Sequence, residues 1–128
     1  MKIIVTGGAG YIGLHLIQKL LDLNNDIFVV DDFSTSDAIE LKKVELITNK
    51  CVNYAKININ RNKKLIDIFR EFNPDLVVHL AGFKFVNESI SNPMLYYQNN
   101  LTGTISLLKS MEEVNCNNIL FSSSATVY

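Results

Sequence analysis

Lys2-Ile3-Ile4-Val5-Thr6-Gly7-Gly8-Ala9-Gly10-Tyr11-Ile12-Gly13 is the stretch that decides the fold. Residues 2–6 form a short apolar run and read as a strand. The run leads straight into glycines spaced Gly7-x-x-Gly10-x-x-Gly13, and a helical pattern follows. Glycine lacks the Cβ that would obstruct a sharp turn, a close approach of backbone to a pyrophosphate, or tight packing of helix on strand. A phosphate placed there meets the unpaired N–H groups and the positive end of the helix. The alternative is a glycine-rich turn with no ligand. The position between a strand and a helix favours the ligand.

Working outward, residues 11–23 read as a helix. His15, Gln18, Lys19 and Asp22 form one narrow wet stripe on it and leave a broad apolar face. Residues 27–31 are a second strand. Residues 32–50 are irregular at first, with a short helix over 38–47. A third strand over 51–57 is interrupted by Asn53 and Lys56. Residues 63–72 form a helix with Leu65, Ile68, Phe69 and Phe72 on one side, stopped by Asn73-Pro74. Residues 76–81 are nearly all apolar, as a strand buried on both faces should be. Asn92 reads as an N-cap with Pro93 at the first helical position. That helix is expected to run to Val114, with Tyr97, Leu101, Ile105 and Leu108 as its apolar stripe. Residues 118–123 are a fifth strand.

Strands alternating with helices predict a parallel α/β sheet with right-handed crossovers. The fold class is a Rossmann-type doubly wound sheet with strand order 3-2-1-4-5, forming one domain over residues 1–128. Ligands in such sheets bind beyond the carboxyl ends of the strands, where the order reverses. Here the reversal falls between strands one and four. Asp31 ends strand two, eighteen residues beyond Gly13. An acid there accepts hydrogen bonds from adenosine ribose hydroxyls and repels a 2′-phosphate, which favours NAD over NADP. Asp32 adds negative charge, and residues 31–37 hold no Arg or Lys. Otherwise Asp31 is a solvated strand-end carboxylate.

The loop after strand four is His79-Leu80-Ala81-Gly82-Phe83-Lys84. Ala81 and Gly82 are small enough for backbone to lie against a cofactor. Lys84 either reaches a ribose hydroxyl or phosphate or is an ordinary surface lysine. His79 sits in an apolar run and reads as a satisfied structural histidine rather than a catalyst. Tyr96, Asn99, Asn100 and Gly103 share one side of the following helix. Asn and Gly cost helix propensity there, which suggests close approach to a cofactor or to another backbone. Hydroxyls of Ser122-Ser123-Ser124 could bond a substrate oxygen or serve turn chemistry alone.

Composition bounds the function. The 128 residues are 48% apolar and 20% charged with net charge −1, as in a soluble globular protein. The charge balance argues against nucleic-acid binding. No apolar run approaches the about 18 residues of a membrane span. The apolar stretch at the start is shorter than the about seven residues of a signal-peptide core. Cys51 and Cys116 fall at opposite sheet edges, roughly 19 Å apart on strand spacings. That is beyond the about 7 Å reach of a disulfide. They read as free, mostly buried thiols, which with the missing signal points to a cytoplasmic protein. The excess of Asn, Ile and Lys reads as genomic codon bias.

Together the glycine motif, His79-Leu80-Ala81-Gly82-Phe83-Lys84, Pro93-Met94-Leu95-Tyr96-Tyr97-Gln98-Asn99-Asn100 and Phe121-Ser122-Ser123-Ser124-Ala125-Thr126-Val127-Tyr128 resemble the N-terminal part of the UDP-glucose 4-epimerase family. That family belongs to the extended short-chain dehydrogenase/reductase group. The resemblance implies NAD as cofactor and UDP-glucose or UDP-galactose as substrate. Hydride passes from sugar C4 to the cofactor and returns to the other face. It implies that Gly7, Gly10, Gly13 and Asp31 hold the adenosine diphosphate half, and that Lys84 and Asn99 hold the cofactor beyond it. Tyr11, Ile12, Asp32, Asn58, Ile59, Leu80, Ala81, Gly82 and Ser122 belong to the same cofactor site by resemblance. Ser124 would set its hydroxyl against the reacting sugar oxygen.

The group's Tyr-x-x-x-Lys base, expected on a helix after strand five, does not occur in these 128 residues. The expectation is therefore an incomplete cofactor-binding domain without the UDP-gripping domain, inactive alone. Asn58 replaces the family's usual aspartate near adenine, and Gln98 and Thr102 replace an aspartate and an asparagine. Other readings are a stand-alone NAD-binding module, another UDP-sugar epimerase, or a nucleotide-sugar dehydratase. The serine run disfavours dehydratases, which typically carry threonine at the Ser124 position. The family forms homodimers, and an open fifth strand is expected to invite self-association and marginal stability.

Overall fold

The structure, a computed structural model, describes residues 1–123. Its strands are β1 (Lys2–Thr6), β2 (Asp26–Asp31), β3 (Asn53–Lys56), β4 (Leu76–His79) and β5 (Ile119–Phe121). All neighbouring pairs are parallel, in the order β3-β2-β1-β4-β5. The expected doubly wound order is thus the observed one. The helices are α1 (Tyr11–Asp22), α2 (Ile39–Thr48), α3 (Asn62–Phe72), α4 (Val86–Ser91), α5 (Pro93–Tyr96) and α6 (Gly103–Glu112). A π-helical turn, Tyr97–Thr102, joins α5 to α6.

Strand periodicity divides the core into two layers. Ile3, Val5, Val29 and Val78 face one way and pack with Ile17 and Leu21 of α1 and Leu41 and Val44 of α2. Ile4, Val30 and Val77 face the other way, against Leu65 and Phe69 of α3 and Leu107 and Met111 of α6. Ile3, Ile4 and Val5 are at most 1% exposed, so β1 must be apolar at consecutive positions. Each such side chain contributes about 1.5–3 kcal/mol by leaving water.

The region after β4 departs from expectation. The helix expected from Asn92 runs without a gap from Pro93 to Glu112, with the π-helical turn Tyr97–Thr102 inside it, and α4 precedes it unannounced. Asn92 makes no side-chain cap. The stripe Tyr97, Leu101, Ile105 and Leu108 faces solvent rather than the core. The buried side is instead Gly103, Ser106, Leu107, Ser110 and Met111. Leu107 and Met111 join the core, and a Cβ on Gly103 would meet Ile59. The helix carries two stripes with apolar residues, and the one facing α3 and the core is the one that is buried.

One smaller reading also changes. Cys116 is buried, but Cys51 lies ahead of β3 and is exposed; both are free thiols. The asparagine excess has local uses. Asn24, Asn49, Asn73 and Asn115 adopt positive φ, and Asn49 and Asn73 are left-handed C-caps of α2 and α3. Asparagine occupies that region more readily than other side chains with a Cβ.

Candidate functional site

The glycine turn after β1 is shaped by contact with the loop after β4. Gly7 has φ of +69°, and a Cβ on it would lie 2.6 Å from the Ala81 amide nitrogen and 2.8 Å from its Cα. A Cβ on Gly13 would lie 2.6 Å from the Gly8 Cα, so α1 can sit against the turn only with glycine there. Gly10 is the N-cap in extended backbone, without a side-chain cap. The first helical bond is Leu14 N–H to the Gly10 carbonyl at 3.0 Å. No acidic residue occupies the first turn of this 12-residue helix. The start of α1 is therefore receptive to an anion.

The end of β2 supplies the acidic wall. Asp31 Oδ2 accepts the Ala9 N–H at 3.0 Å, and Oδ1 accepts the Phe33 N–H at 2.9 Å. One carboxylate thus ties the glycine turn to the loop after β2. Phe33 sits at φ of 55°, a strained place for an aromatic residue, with its ring edge-on to Tyr54 at 5.6 Å. Asp32 accepts the Ser34 N–H at 3.0 Å and the Asn58 side-chain amide at 2.7 Å. Burial pushes the Asp32 carboxyl up, but hydrogen bonds from Ser34 and Asn58 outweigh it and hold the group below its ordinary value.

The Asn58 amide is used at both ends, because its oxygen accepts the Asn60 N–H at 2.9 Å. An aspartate would place two carboxylates at hydrogen-bond distance. Asn58→Asp is expected to cost about 0.5–1.5 kcal/mol at pH 7, because the pair is only partly buried and solvent screens the repulsion. The shared proton site then has a raised apparent pKa in the folded state, so the deficit shrinks as pH falls towards that value. Thermal melts of both proteins at pH 7 and pH 5 check this. An equal deficit at both pH values would count against it.

Gly7, Gly10, Asp31, Asp32, Asn58, Ile59, Leu80, Ala81, Gly82, Lys84 and Asn99 line one open groove, running past the ends of β1, β2 and β4. Ser34, Thr35, Ser36 and Phe83 line it as well, although the sequence reading passed over them. Tyr11 and Ile12 are not on its walls. They are 80% and 55% exposed at the first turn of α1. Gly13 lies beneath the turn rather than on the wall. Ser122 lies off the groove beyond β5, with its N–H on the His79 carbonyl at 3.1 Å. Ser124 lies outside the described residues.

The polar side of the Tyr96–Gly103 segment is resolved into separate tasks. Asn99 is nearly buried at the groove and donates to Asn100 Oδ1 at 3.1 Å. Asn100 brackets Phe83, accepting its N–H at 2.8 Å and donating to its carbonyl at 3.0 Å. It thereby holds the Ala81–Lys84 wall. The signal for this role was the unfavourable pair of asparagines in a helix. A Cβ on Gly103 would lie 2.6 Å from Ile59 Cδ1, so what approaches there is a side chain of the groove wall. His79 is 2% exposed with both ring nitrogens partnered, the satisfied structural histidine expected. Burial lowers its pKa. Among the described residues no helix is long and apolar enough to cross a membrane.

A parallel doubly wound sheet, a glycine turn feeding a helix, and an acid ending the next strand define a Rossmann-type nucleotide-binding domain. The chain belongs to the family described as GDP-mannose 4,6 dehydratase, which matches residues 4–128. It is 44% identical to the UDP-glucose 4-epimerase of Bacillus subtilis over 128 residues, covering 100% of this chain and 38% of that protein. It is 42% identical to UDP-glucose 4-epimerase 2 of Arabidopsis thaliana, covering 99% of this chain and 37% of the relative. The Bifidobacterium longum UDP-glucose 4-epimerase, solved with NAD+ and UDP, superposes with a TM-score of 0.97 at 42% identity, covering 100% of this chain and 38% of that one. The Stenotrophomonas maltophila enzyme, solved with NAD and formylated UDP-arabinopyranose, gives 0.96 at 35% identity over the same shares of the two chains. The chain corresponds to the N-terminal part of such epimerases and spans about 38% of their length.

Proposed function

We propose that the groove holds NAD and that the chain is the cofactor-binding part of a UDP-glucose/UDP-galactose 4-epimerase. The observation that carries this is the Gly7 cradle, where a Cβ would fill the space between two loops. Beside it lie the uncapped start of α1 and the Asp31 carboxylate. These fit a pyrophosphate and an adenosine ribose, in that order along the groove. Bound NAD supplies the hydride acceptor and donor for inversion at sugar C4. The chain's own residues orient it. The unpaired N–H groups at the start of α1, at the edge of the groove, donate to phosphate oxygens, and Asp31 accepts ribose hydroxyl protons. Lys84 and Asn99 reach the part of the cofactor beyond. Ser124 sets its hydroxyl on the reacting sugar oxygen. The epimerase names of the relatives favour this chemistry over that of a dehydratase. Free cysteines fit a cytoplasmic setting.

These 128 residues contain no Tyr-x-x-x-Lys pair, so by themselves they are expected to bind NAD without turnover. Calorimetry with NAD+ tests the first half, and no heat at millimolar NAD+ would remove it. An assay with UDP-galactose and NAD+ tests the second, and turnover above background would overturn it.

Self-association is the accompanying expectation. Ile119, Leu120 and Phe121 of β5 are 38–56% exposed at a sheet edge, and Tyr97, Leu101, Ile105 and Leu108 are exposed nearby on the helix. Such surfaces pair with other copies. Sedimentation velocity is expected to show mass rising with concentration. A monomer throughout, with a sharp cooperative melt, would contradict it.

A further inference from the structure

A chain of polar contacts, buried at His79 and partly buried at Thr104, links β1 and β4 to the helical segment after Asn92. The Thr6 hydroxyl lies 2.6 Å from His79 Nδ1, and His79 Nε2 lies 3.0 Å from Thr104 Oγ1. The Thr104 hydroxyl donates to the Asn100 carbonyl at 2.6 Å. A hydroxyl has one proton, so Thr104 can meet His79 only as an acceptor. Nε2 must then carry the ring proton. Nδ1, left bare, accepts the proton of Thr6. The imidazole is neutral, and each proton in the chain has one place to go.

Each end of this chain adjoins residues that line the groove. Thr6 immediately precedes Gly7, which lies against Ala81. Asn100 brackets Phe83 through both polar groups of its amide. Between them, Thr104 lies just past the π-helical turn, a geometry found often at functional sites.

We propose that His79 and Thr104 are positioning residues for the cofactor groove: the Nε2–H tautomer of His79 fixes the π turn against β1 and β4, and Asn100 passes that position to the Ala81–Lys84 wall. The link to cofactor affinity rests on the groove being the NAD site; the tautomer and the wall position do not. Losing the Thr104 hydroxyl leaves a buried imidazole N–H without its acceptor, and the cost falls on the segment held by it.

The test compares the full chain with Thr104→Val, which removes the hydroxyl at similar volume, and Thr104→Ser, which keeps it. Nitrogen NMR of the unmodified chain at pH 7 is expected to show the Nε2–H tautomer. Exchange of the Phe83 amide with solvent is expected to accelerate about three- to tenfold in Thr104→Val, the size of one net hydrogen bond. Amides of α1, on the opposite sheet face, should keep their rates, and Thr104→Ser should restore Phe83. The dissociation constant for NAD+ should rise by a similar factor in Thr104→Val alone. An Nδ1–H or doubly protonated ring overturns the proposal even where a variant fails to fold. So does Phe83 exchange that is unchanged, or that speeds up only in step with α1. If the unmodified chain binds no NAD+, the cofactor reading falls, while the tautomer and the Phe83 rates still decide for or against the relay.

Discussion

Gly7→Ala is expected to destabilise the chain by about 2–5 kcal/mol and to abolish NAD binding. Two costs combine. At φ of +69° an alanine is strained by about 1–2 kcal/mol. Its methyl would also stand 2.6–2.9 Å from backbone atoms of Leu80 and Ala81, which cannot turn aside as a flexible side chain would. Relieving that overlap means moving the loop after β4, and overpacking of this kind costs about 1–3 kcal/mol. Native stability is itself only about 5–15 kcal/mol, so the loss is a large share of it. The same movement displaces the Ala81–Lys84 wall of the groove, beside which the pyrophosphate is proposed to lie. A thermal melt together with NAD+ titration reads both effects. A variant that melts within a degree or two of the parent would show that the turn does not press on Ala81.

Asp31→Ala is expected to weaken NAD affinity about 10- to 100-fold, more than it weakens NADP affinity. The carboxylate has two tasks. It holds the Ala9 N–H and the Phe33 N–H, so its loss loosens the glycine turn and the loop after β2 together. Oδ1 also accepts the Ser36 hydroxyl at 3.4 Å, and the acceptor capacity left on this groove-lining carboxylate is proposed to receive ribose hydroxyls. Hydrogen bonds to a charged group contribute about 1.5–3 kcal/mol each, and one such loss accounts for the expected range. Removing the charge also removes the repulsion of a 2′-phosphate, so the preference for NAD narrows. Asp31→Asn separates the tasks, because its amide oxygen can still accept one backbone N–H. Equal loss of NAD and NADP affinity in Asp31→Ala would leave Asp31 with the backbone task alone.

The parts of this fold that are visible in the sequence are those set by near-neighbour rules. Strand alternation and right-handed crossovers leave few topologies, and the order β3-β2-β1-β4-β5 is among them. Gly7 and Asp31 stand at the ends of adjacent strands, so that order brings them together. The hidden parts depend on distant partners or on a choice between equal patterns. Asp32 and Asn58 are separated by 26 positions and meet only because β2 and β3 are neighbours. The helix after Asn92 carries two usable stripes, and periodicity alone does not say that Gly103, Ser106 and Ser110 face inward. The π turn changes the helical phase without a distinctive residue to mark it. Helix α4, six residues long, is too short for periodicity to reveal. Ser34 to Ser36 read only as loop, yet they line the groove because the Asp31 carboxylate gathers the turn around itself.

The central claim is that NAD lies along the ends of β1, β2 and β4. Backbone amide shifts recorded while NAD+ is added to the nitrogen-labelled chain test it most directly. The shifts are predicted to concentrate on the amides of residues 7–13, 31–36, 58–59 and 81–84, with β5 and the outer face of α6 unmoved. Shifts confined to the apolar hollow around Tyr97, Leu101 and Phe121, or no shifts at millimolar NAD+, would contradict it.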